Sequence, residues 1–251
     1  MRKRFRLSVG PDRVTLWRGH EPVAAVPVAP QAEGAPLWDA LGRAMHELLV
    51  SRPHRRGDRG EIDVLLSESL CRFALVRGGP TRLAADEAEA LARHNLPPAG
   101  AGAAGEIHRI AAVDGADGTP RLLCAALEQA GLARIGAALA DSPWTLRSLA
   151  PRLVDVLAGL GRQLHGYTGH LVCADPRVAV LVALREGGWL QVMSRRTLAE
   201  SEAADGGLQQ MLAQSEALAG TGSRALWWCG VPPPALPGWE LSVLPDGGAL
   251  P

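Results

Sequence analysis

The spacing of His165 and His170 does not fit a metal site, and the sequence around Ser67 does not fit a catalytic nucleophile. His165 and His170 are five residues apart at a predicted helix-to-strand junction, so one helix face cannot present both, and no third ligand is evident. Ser67 lacks the flanking glycines of the G-x-S-x-G turn that exposes a catalytic serine. We therefore predict a structural junction at the histidines and a strand-end loop at Ser67.

Three aspartates are candidates for two-metal nuclease chemistry, which requires several clustered carboxylates. Asp12 and Asp175 fall in predicted turns, and Asp63 falls in a predicted strand. By position, these three aspartates are the candidates for a ribonuclease-H-type nuclease site. Because two of them lie in turns, the sequence does not favour such a site.

Cysteine and lysine chemistry is also disfavoured. Four cysteines are scattered through apolar runs without a CxxC pair, which is typical of buried thiols in a reducing compartment: Cys71, Cys124, Cys173 and Cys229. Lys3 is the only lysine of the chain. Any phosphate-binding or Schiff-base lysine would therefore have to lie in the N-terminal tail, which we predict to be frayed.

Overall charge and hydropathy restrict the class of partner. The chain has 26 basic and 26 acidic residues, so the usual electrostatic reason for binding nucleic acid or an anionic membrane is missing. No stretch of the sequence approaches the roughly 18–20 apolar residues of a membrane span. The charged start 1–6 leads into an alternating strand and not into a signal-peptide core. We therefore expect a cytoplasmic protein that binds no nucleic acid and inserts into no membrane.

Predicted strands and helices alternate along the 251 residues, which indicates an α/β fold. Helical spacing of apolar residues predicts helices over 36–50, 86–94, 127–140, 151–164 and 207–219. Alternating or continuous apolar runs between turn residues predict strands over 4–9, 13–17, 23–29, 62–66, 71–77, 106–113, 121–126, 170–174, 177–185, 189–194, 225–229 and 239–243. From this order we expect mixed sheets flanked by helices.

One pattern occurs twice, roughly 165 residues apart. Residues 7–18 (LSVGPDRVTLWR) and 171–181 (LVCADPRVAVL) each read as a strand, a tight turn with Asp and Pro, an arginine and a second strand. A glycine-containing turn and a third predicted strand follow each copy. A meander at the start of each half predicts two related lobes, in which residues 4–29 and 170–194 superpose as three-stranded units.

This layout resembles the actin-like ATPase superfold, in which two ribonuclease-H-like lobes each begin with such a meander. Within it, the chain is most similar to the bacterial filament-assembly branch: the PilM-type proteins of type IV pili, the MshI-like proteins and the cytoplasmic domain of the GspL protein of type II secretion. The likeness is carried by 7–14 (LSVGPDRV), by 62–73 (IDVLLSESLCRF), and by 120–127 (PRLLCAAL) through 144–151 (WTLRSLAP) into the second meander. The resemblance implies a first lobe over 1–165 with an inserted subdomain at about 67–126, and a second, smaller lobe over 166–251.

The resemblance also locates the nucleotide chemistry of active members, and this chain departs from it. Where an active member has an Asp in its first strand, this chain has Ser8, followed by Gly10 and by a proline that offers no N–H to a phosphate. The second phosphate loop keeps Asp175 but not its glycine and hydroxyls, and the adenosine-side glycine pair is reduced to Gly230. We therefore expect a degenerate nucleotide site, no bound cofactor and no hydrolysis.

In function, the resemblance implies a non-catalytic cytoplasmic scaffold for assembly of a type IV filament (pilus) or a type II secretion system at the inner membrane. The implied partner is a short cytoplasmic tail of an inner-membrane assembly protein, a motor ATPase, or both. We place tail binding at the predicted strand 71–77, where Phe73 alternates with Arg72 and Arg77. Two alternatives stay open: an active actin-like ATP-binding protein with divergent motifs, and an unrelated α/β protein-interaction module.

Overall fold

The computed structural model describes residues 5–29, 37–51, 60–78, 84–97, 105–196 and 202–244, so Lys3 lies outside the described residues. The strands are β1 (Phe5–Val9), β2 (Arg13–Arg18), β3 (Glu21–Pro27), β4 (Gly60–Leu66), β5 (Cys71–Arg77), β6 (Glu106–Asp114), β7 (Pro120–Glu128), β8 (Trp144–Pro151), β9 (Gly169–Ala174), β10 (Val178–Arg185), β11 (Gly188–Arg196), β12 (Ala225–Gly230) and β13 (Glu240–Val243). The α-helices are α1 (Leu37–His46), α2 (Ala85–Asn95), α3 (Gln129–Ala140), α4 (Arg152–Leu160) and α5 (Glu202–Ala219). Within these residues, no helix combines the length and the hydropathy needed to cross a lipid bilayer.

Two five-stranded sheets share one strand order and one set of strand directions. The first has the order β3-β2-β1-β4-β8 and the second the order β11-β10-β9-β12-β13. In each sheet the first three strands form an antiparallel meander, and the two later strands run parallel to the first. The repeated sequence pattern thus folds into two equivalent units, and the predicted α/β fold with two lobes is confirmed.

We call the unit around the first sheet lobe 1 and the unit around the second sheet lobe 2; the exact domain bounds at 165 and 166 stay a prediction. A third, antiparallel sheet with the order β5-β7-β6 is inserted between β4 and α3, and we call it the insert. The β6–β7 turn of the insert reaches lobe 2. There Gly115 forms a bridge with Trp189, and the Ala116 N–H donates to the Trp189 carbonyl oxygen at 3.2 Å. The insert therefore contacts lobe 2 beside the segment that links the lobes, because the neighbouring Gly187 donates its N–H to the Tyr167 carbonyl oxygen.

The strands β9 and β10 of the lobe 2 sheet are buried on both faces, which explains their nearly continuous apolar sequences. Along β9, Leu171 and Cys173 face a core shared with lobe 1, whereas Val172 and Ala174 face a second cluster formed with α5. Successive side chains of a strand point to opposite faces, so one strand serves both clusters. The lobes are therefore joined by a common hydrophobic core as well as by the chain.

The sequence analysis did not predict β8, and it began α3 two residues too early. Strand β8 is an edge strand of its sheet, and its residues 145–148 are exposed on both faces, so the period-2 apolar pattern is absent. Leu127 and Glu128 still belong to β7, where they pair with Ile107 and Glu106 of β6. Both differences arise because distant strand pairing decides the local conformation.

Candidate functional site

A cleft of about 510 Å³ lies between the two lobes. It is lined by the β1–β2 turn, the β9–β10 turn, the end of β12 and the start of α4. The four positions that the resemblance singled out lie together on its walls: Ser8, Gly10, Asp175 and Gly230. A concave site of this volume is large enough for a small molecule, so the chemistry of the walls decides what it can hold.

Two positions of the β1–β2 turn, Gly10 and Pro11, offer no free amide to the cleft. The Gly10 N–H donates to the Arg13 carbonyl oxygen at 2.9 Å, and Pro11 has no N–H. Ser8 stands in β1 opposite Thr15, so a hydroxyl takes the position where active members have a carboxylate. Neither Gly10 nor Pro11 therefore presents a donor to a phosphate, and this strand supplies no charged ligand for a magnesium ion.

The β9–β10 turn is closed on itself by Asp175. Its carboxylate oxygen Oδ1 accepts the backbone N–H groups of Arg177 at 2.7 Å and of Val178 at 2.8 Å. The Asp175 N–H donates to the Val178 carbonyl oxygen at 2.9 Å, and Pro176 has no N–H. The amides that a phosphate would need at this turn are thus already bonded within the turn.

The second carboxylate oxygen of Asp175 reaches across to lobe 1. Oδ2 accepts the Ser67 hydroxyl and, at 2.8 Å, the Ser69 N–H. Asp175 is 3% exposed, and both of its oxygens are hydrogen-bonded by protein groups, as a buried carboxylate requires. The aspartate that survives from the phosphate loop therefore joins the β9–β10 turn to the segment that follows β4.

A buried ion pair lies next to Asp175. The Glu68 carboxylate is 0% exposed and pairs with the guanidinium of Arg152, the first residue of α4. Nη2 of Arg152 also donates to the Ala174 carbonyl oxygen of lobe 2 at 2.8 Å. Burial raises the pKa of Glu68, and Arg152 offsets part of that rise. Removing the arginine would leave a buried carboxylate without a counter-ion.

Glu68 and Arg152 were not identified as functional or structural partners by the sequence analysis. They are 84 residues apart, and the local signal is a run of polar residues, 67–69, directly after the buried strand β4. Strands β4 and β8 are parallel neighbours, so their carboxyl ends lie at one edge of the sheet. Since α4 begins directly after β8, the fold brings Arg152 to the segment after β4.

Strand packing explains why position 230 is a glycine. It has φ +108°, a backbone conformation that other residues rarely adopt, and it pairs with Ala174 in the parallel ladder between β12 and β9. An added Cβ would overlap the Ala174 carbonyl oxygen, which also accepts the Val231 N–H at 3.1 Å. The close approach of these two strand ends therefore requires glycine, whatever the cleft binds.

The candidate nuclease carboxylates have other roles or no shared site. Burial by itself would raise the pKa of Asp63, but hydrogen bonds from Arg147 and Ser148 outweigh it and lower the pKa. Asp12 lies in the β1–β2 turn and Asp175 is engaged as described above. Across the ranges that the structure covers, no three His, Cys, Asp or Glu side chains are arranged to hold a metal ion.

The histidines and cysteines are placed as core or surface residues. His165 is exposed, whereas His170 is 0% exposed with Nε2 3.2 Å from Ser215 Oγ, and burial lowers its pKa. The four cysteines are buried, as predicted, and none of them forms a disulfide within the described residues. A hydrogen bond with Cys229, together with burial, raises the pKa of the Cys173 thiol. Burial also raises the pKa of the Cys71 and Cys124 thiols, which disfavours the reactive thiolate at these three positions.

The predicted partner strand is β5, which is an edge strand of the insert and, among the described strands, pairs with β7 alone. Phe73 is 3% exposed and packs in the main core, and Arg72 donates to Glu106 and to the Pro97 carbonyl oxygen. Arg77 is exposed, with Nη2 3.7 Å from Asp117 Oδ2. Of the three named side chains, Arg77 is the one that β5 presents to solvent, and tail binding at β5 stays a prediction.

No protein-family model matches the chain, and no curated protein sequence matches it. Similar solved structures include a protein with an actin-like ATPase fold and unknown function from Bacteroides thetaiotaomicron VPI-5482, which is 10% identical with a TM-score of 0.57, covering 92% of this chain and 82% of that chain. The PilM-PilN type IV pilus biogenesis complex is 16% identical with a TM-score of 0.55, covering 91% and 81%. The cytoplasmic domain of EpsL, an inner membrane component of the type II secretion system of Vibrio cholerae, is 16% identical with a TM-score of 0.48, covering 97% and 88%.

The first two of these matches concern the fold, and they agree with the strand order of the two lobes. The chain has the actin-like ATPase fold, as the resemblance implied. The alternatives of an active ATP-binding protein and of an unrelated α/β protein-interaction module concern function, and both stay open. The cleft between the lobes corresponds to the position at which the sequence analysis located the nucleotide loops of active members.

Proposed function

We propose that the chain is a non-catalytic scaffold that takes part in assembling a type IV pilus or a type II secretion system on the cytoplasmic side of the inner membrane. One observation carries the proposal: protein groups occupy the donors that a nucleotide would need. Asp175 accepts two amides of the β9–β10 turn, and Pro11 and Pro176 have no N–H to offer. The likeness in fold to the PilM-PilN type IV pilus biogenesis complex supports the choice of machine.

A scaffold of this kind acts through its surface. As an edge strand of its sheet, β5 can accept an added strand through backbone hydrogen bonds, so this mode of binding needs no preformed catalytic pocket. Arg77 stands exposed at the end of that edge and can pair with an acidic group of the tail. We place the short cytoplasmic tail of an inner-membrane partner there, as one partner beside a motor ATPase.

The purified chain is expected not to bind Mg-ATP. A ligand at ten times its Kd stabilises the native state by about 1.4 kcal/mol, which for a protein of this size raises Tm by about 3–6 °C. We expect a change below 1 °C at 1 mM Mg-ATP, measured by thermal unfolding and checked by titration calorimetry. Magnesium chloride alone and a known ATP-binding kinase are the negative and positive controls. Saturable heat at a sub-millimolar Kd would instead favour the alternative of an active ATP-binding protein.

The tagged chain, expressed in its native cells and purified from detergent-solubilised membranes, is expected to recover an inner-membrane protein with a short cytoplasmic tail or a motor ATPase. Arg77→Glu should reduce recovery of the tail-bearing protein by about tenfold, because it reverses the exposed charge at the β5 edge. Arg109→Glu is the matched control, since Arg109 is exposed on β6 at the opposite edge of the same sheet.

Equal recovery with Arg77→Glu and the unmodified chain would show that the tail does not bind at β5. Recovery of neither class of protein would contradict the scaffold itself. Flotation of the purified chain with protein-free liposomes would also contradict it, because membrane contact would then need no protein receptor.

A further inference from the structure

Several hydrogen bonds at the cleft join lobe 1 to lobe 2. Ser67 and Ser69 of lobe 1 donate to the Asp175 carboxylate of lobe 2. Arg152 of lobe 1 donates to the Ala174 carbonyl oxygen of lobe 2 and is oriented by Glu68. We call these six residues the latch. A nucleotide held by both phosphate loops would bridge the β1–β2 and β9–β10 turns, and the latch shares the second of these turns.

A second crossing lies at the β6–β7 turn of the insert. Besides the Gly115–Trp189 bridge, the Ala116 backbone is so close to Gly188 that an added Cβ there would lie 2.5 Å from the Ala116 Cα. Contact of this kind depends on the two lobes keeping their relative position. The latch and this turn are separate in sequence and in sheet, so together they resist rotation of one lobe against the other.

The segment that links the lobes is also bonded to lobe 2 at its end. The Tyr167 carbonyl oxygen accepts the Gly187 N–H at 2.8 Å, and the Tyr167 ring stacks on Trp227 with 3.7 Å between ring centroids. The Tyr167 hydroxyl donates to the carbonyl oxygens of His170 at 3.0 Å and Ala225 at 3.3 Å. A hinge at this segment would have to break these contacts.

From these contacts we infer that the latch holds the two lobes closed permanently, in place of a nucleotide. Asp175, the acidic residue that matches the second phosphate loop, then joins the two lobes and does not act as a metal ligand. The scaffold presents one fixed surface to its partners and does not open and close in a nucleotide cycle. The inference concerns the lobes alone, so it stands whether or not the proposed partners are correct.

Asp175→Asn tests the latch selectively. With Oδ1 retained, the asparagine still accepts the Arg177 and Val178 N–H groups, but its NH₂ group cannot accept the Ser69 N–H. Asp12→Asn is the matched control, because it makes the same chemical change on another wall of the cleft. Hydrogen exchange of the purified full chain, followed at the Ser69 and Ala116 amides, reports the latch and the distant lobe contact separately.

We expect exchange in Asp175→Asn to rise about tenfold or more at both amides, and to stay unchanged in Asp12→Asn. An unchanged Ser69 amide would overturn the inference. Faster exchange at the Ser69 amide with unchanged exchange at the Ala116 amide would also overturn it, because the Ser69–Asp175 bond would then have only a local effect. If Asp175→Asn does not fold, Ser67→Ala replaces it, because this change removes one hydroxyl donor to Asp175. We expect Ser67→Ala to raise hydrogen exchange about threefold at the Ser69 and Ala116 amides. Unchanged exchange at Ala116 in Ser67→Ala would reject the latch.

Discussion

Arg152→Met is expected to lower the free energy of unfolding by about 3–5 kcal/mol, because it leaves the Glu68 carboxylate buried without its cation. Methionine keeps much of the side-chain volume, so the loss reports the charge and its hydrogen bonds and not a cavity. Urea unfolding of both proteins under the same buffer measures the difference. Arg134→Met is the control: its partner is Asp39, both side chains are about half exposed, and we expect a loss below about 1 kcal/mol.

The same variant makes a prediction about pH. Burial raises the pKa of Glu68, and loss of Arg152 removes the group that offsets this rise. The folded variant therefore holds a proton on Glu68 at a pH where the unfolded chain has released it, so its stability falls as pH rises through the interval between the unfolded and folded pKa values. We expect a smaller deficit at pH 5 than at pH 8. The role of the buried charge would be contradicted if Arg152→Met lost the same unfolding free energy at pH 5 and pH 8. It would also be contradicted if adding Glu68→Gln to Arg152→Met did not reduce that loss.

Gly230→Ala is expected to destabilise the protein by about 3 kcal/mol or more. Alanine at φ +108° is strained, and its Cβ would overlap the Ala174 carbonyl oxygen, so the ends of β9 and β12 would have to separate. Separation there also weakens the bonds that Ala174 accepts from Arg152 and Val231. The midpoint of urea unfolding and the Tm measure the loss.

Gly136→Ala is the matched control for the strand-end glycine. Gly136 lies inside α3, and an added Cβ there meets nothing within 4 Å, so alanine should gain up to about 1 kcal/mol from helix propensity. Changes of opposite sign in unfolding free energy for Gly230→Ala and Gly136→Ala would distinguish the effect of close strand packing at Gly230 from a general effect of replacing glycine. A neutral Gly230→Ala would mean that the strand ends move apart at little cost, and the packing account would be wrong.

Much of the fold was predictable because its signals are local. Period-2 apolar alternation, the Asp-Pro turns and the glycine turns specify each meander within about 25 residues, and the two copies reveal the two lobes. The prediction of a degenerate nucleotide site also rests on local signals, since it depends on which residue stands in a given strand or turn: Ser8 supplies no carboxylate, and Pro11 and Pro176 supply no N–H. These conclusions needed no knowledge of what the turns contact.

The partner strand shows where local signals mislead. The sequence analysis placed Phe73 among the side chains that bind a partner, but Phe73 is buried because β5 packs on the core shared with lobe 1. Arg72 carries a charge but is tied to Glu106 of β6. The sequence alone cannot distinguish a side chain facing solvent from one covered by a distant element.

The sequence by itself therefore determined the two meanders and the α/β class, and it led to the expectation of a degenerate nucleotide site. Only the tertiary structure decided what those positions do instead. Ser67 and Asp175 are 108 residues apart, and Glu68 and Arg152 are 84 apart, so no periodicity or motif could pair them. The physical reason is that parallel strands bring the segments after β4, β8 and β9 to one cleft, where buried charges and amides must find partners.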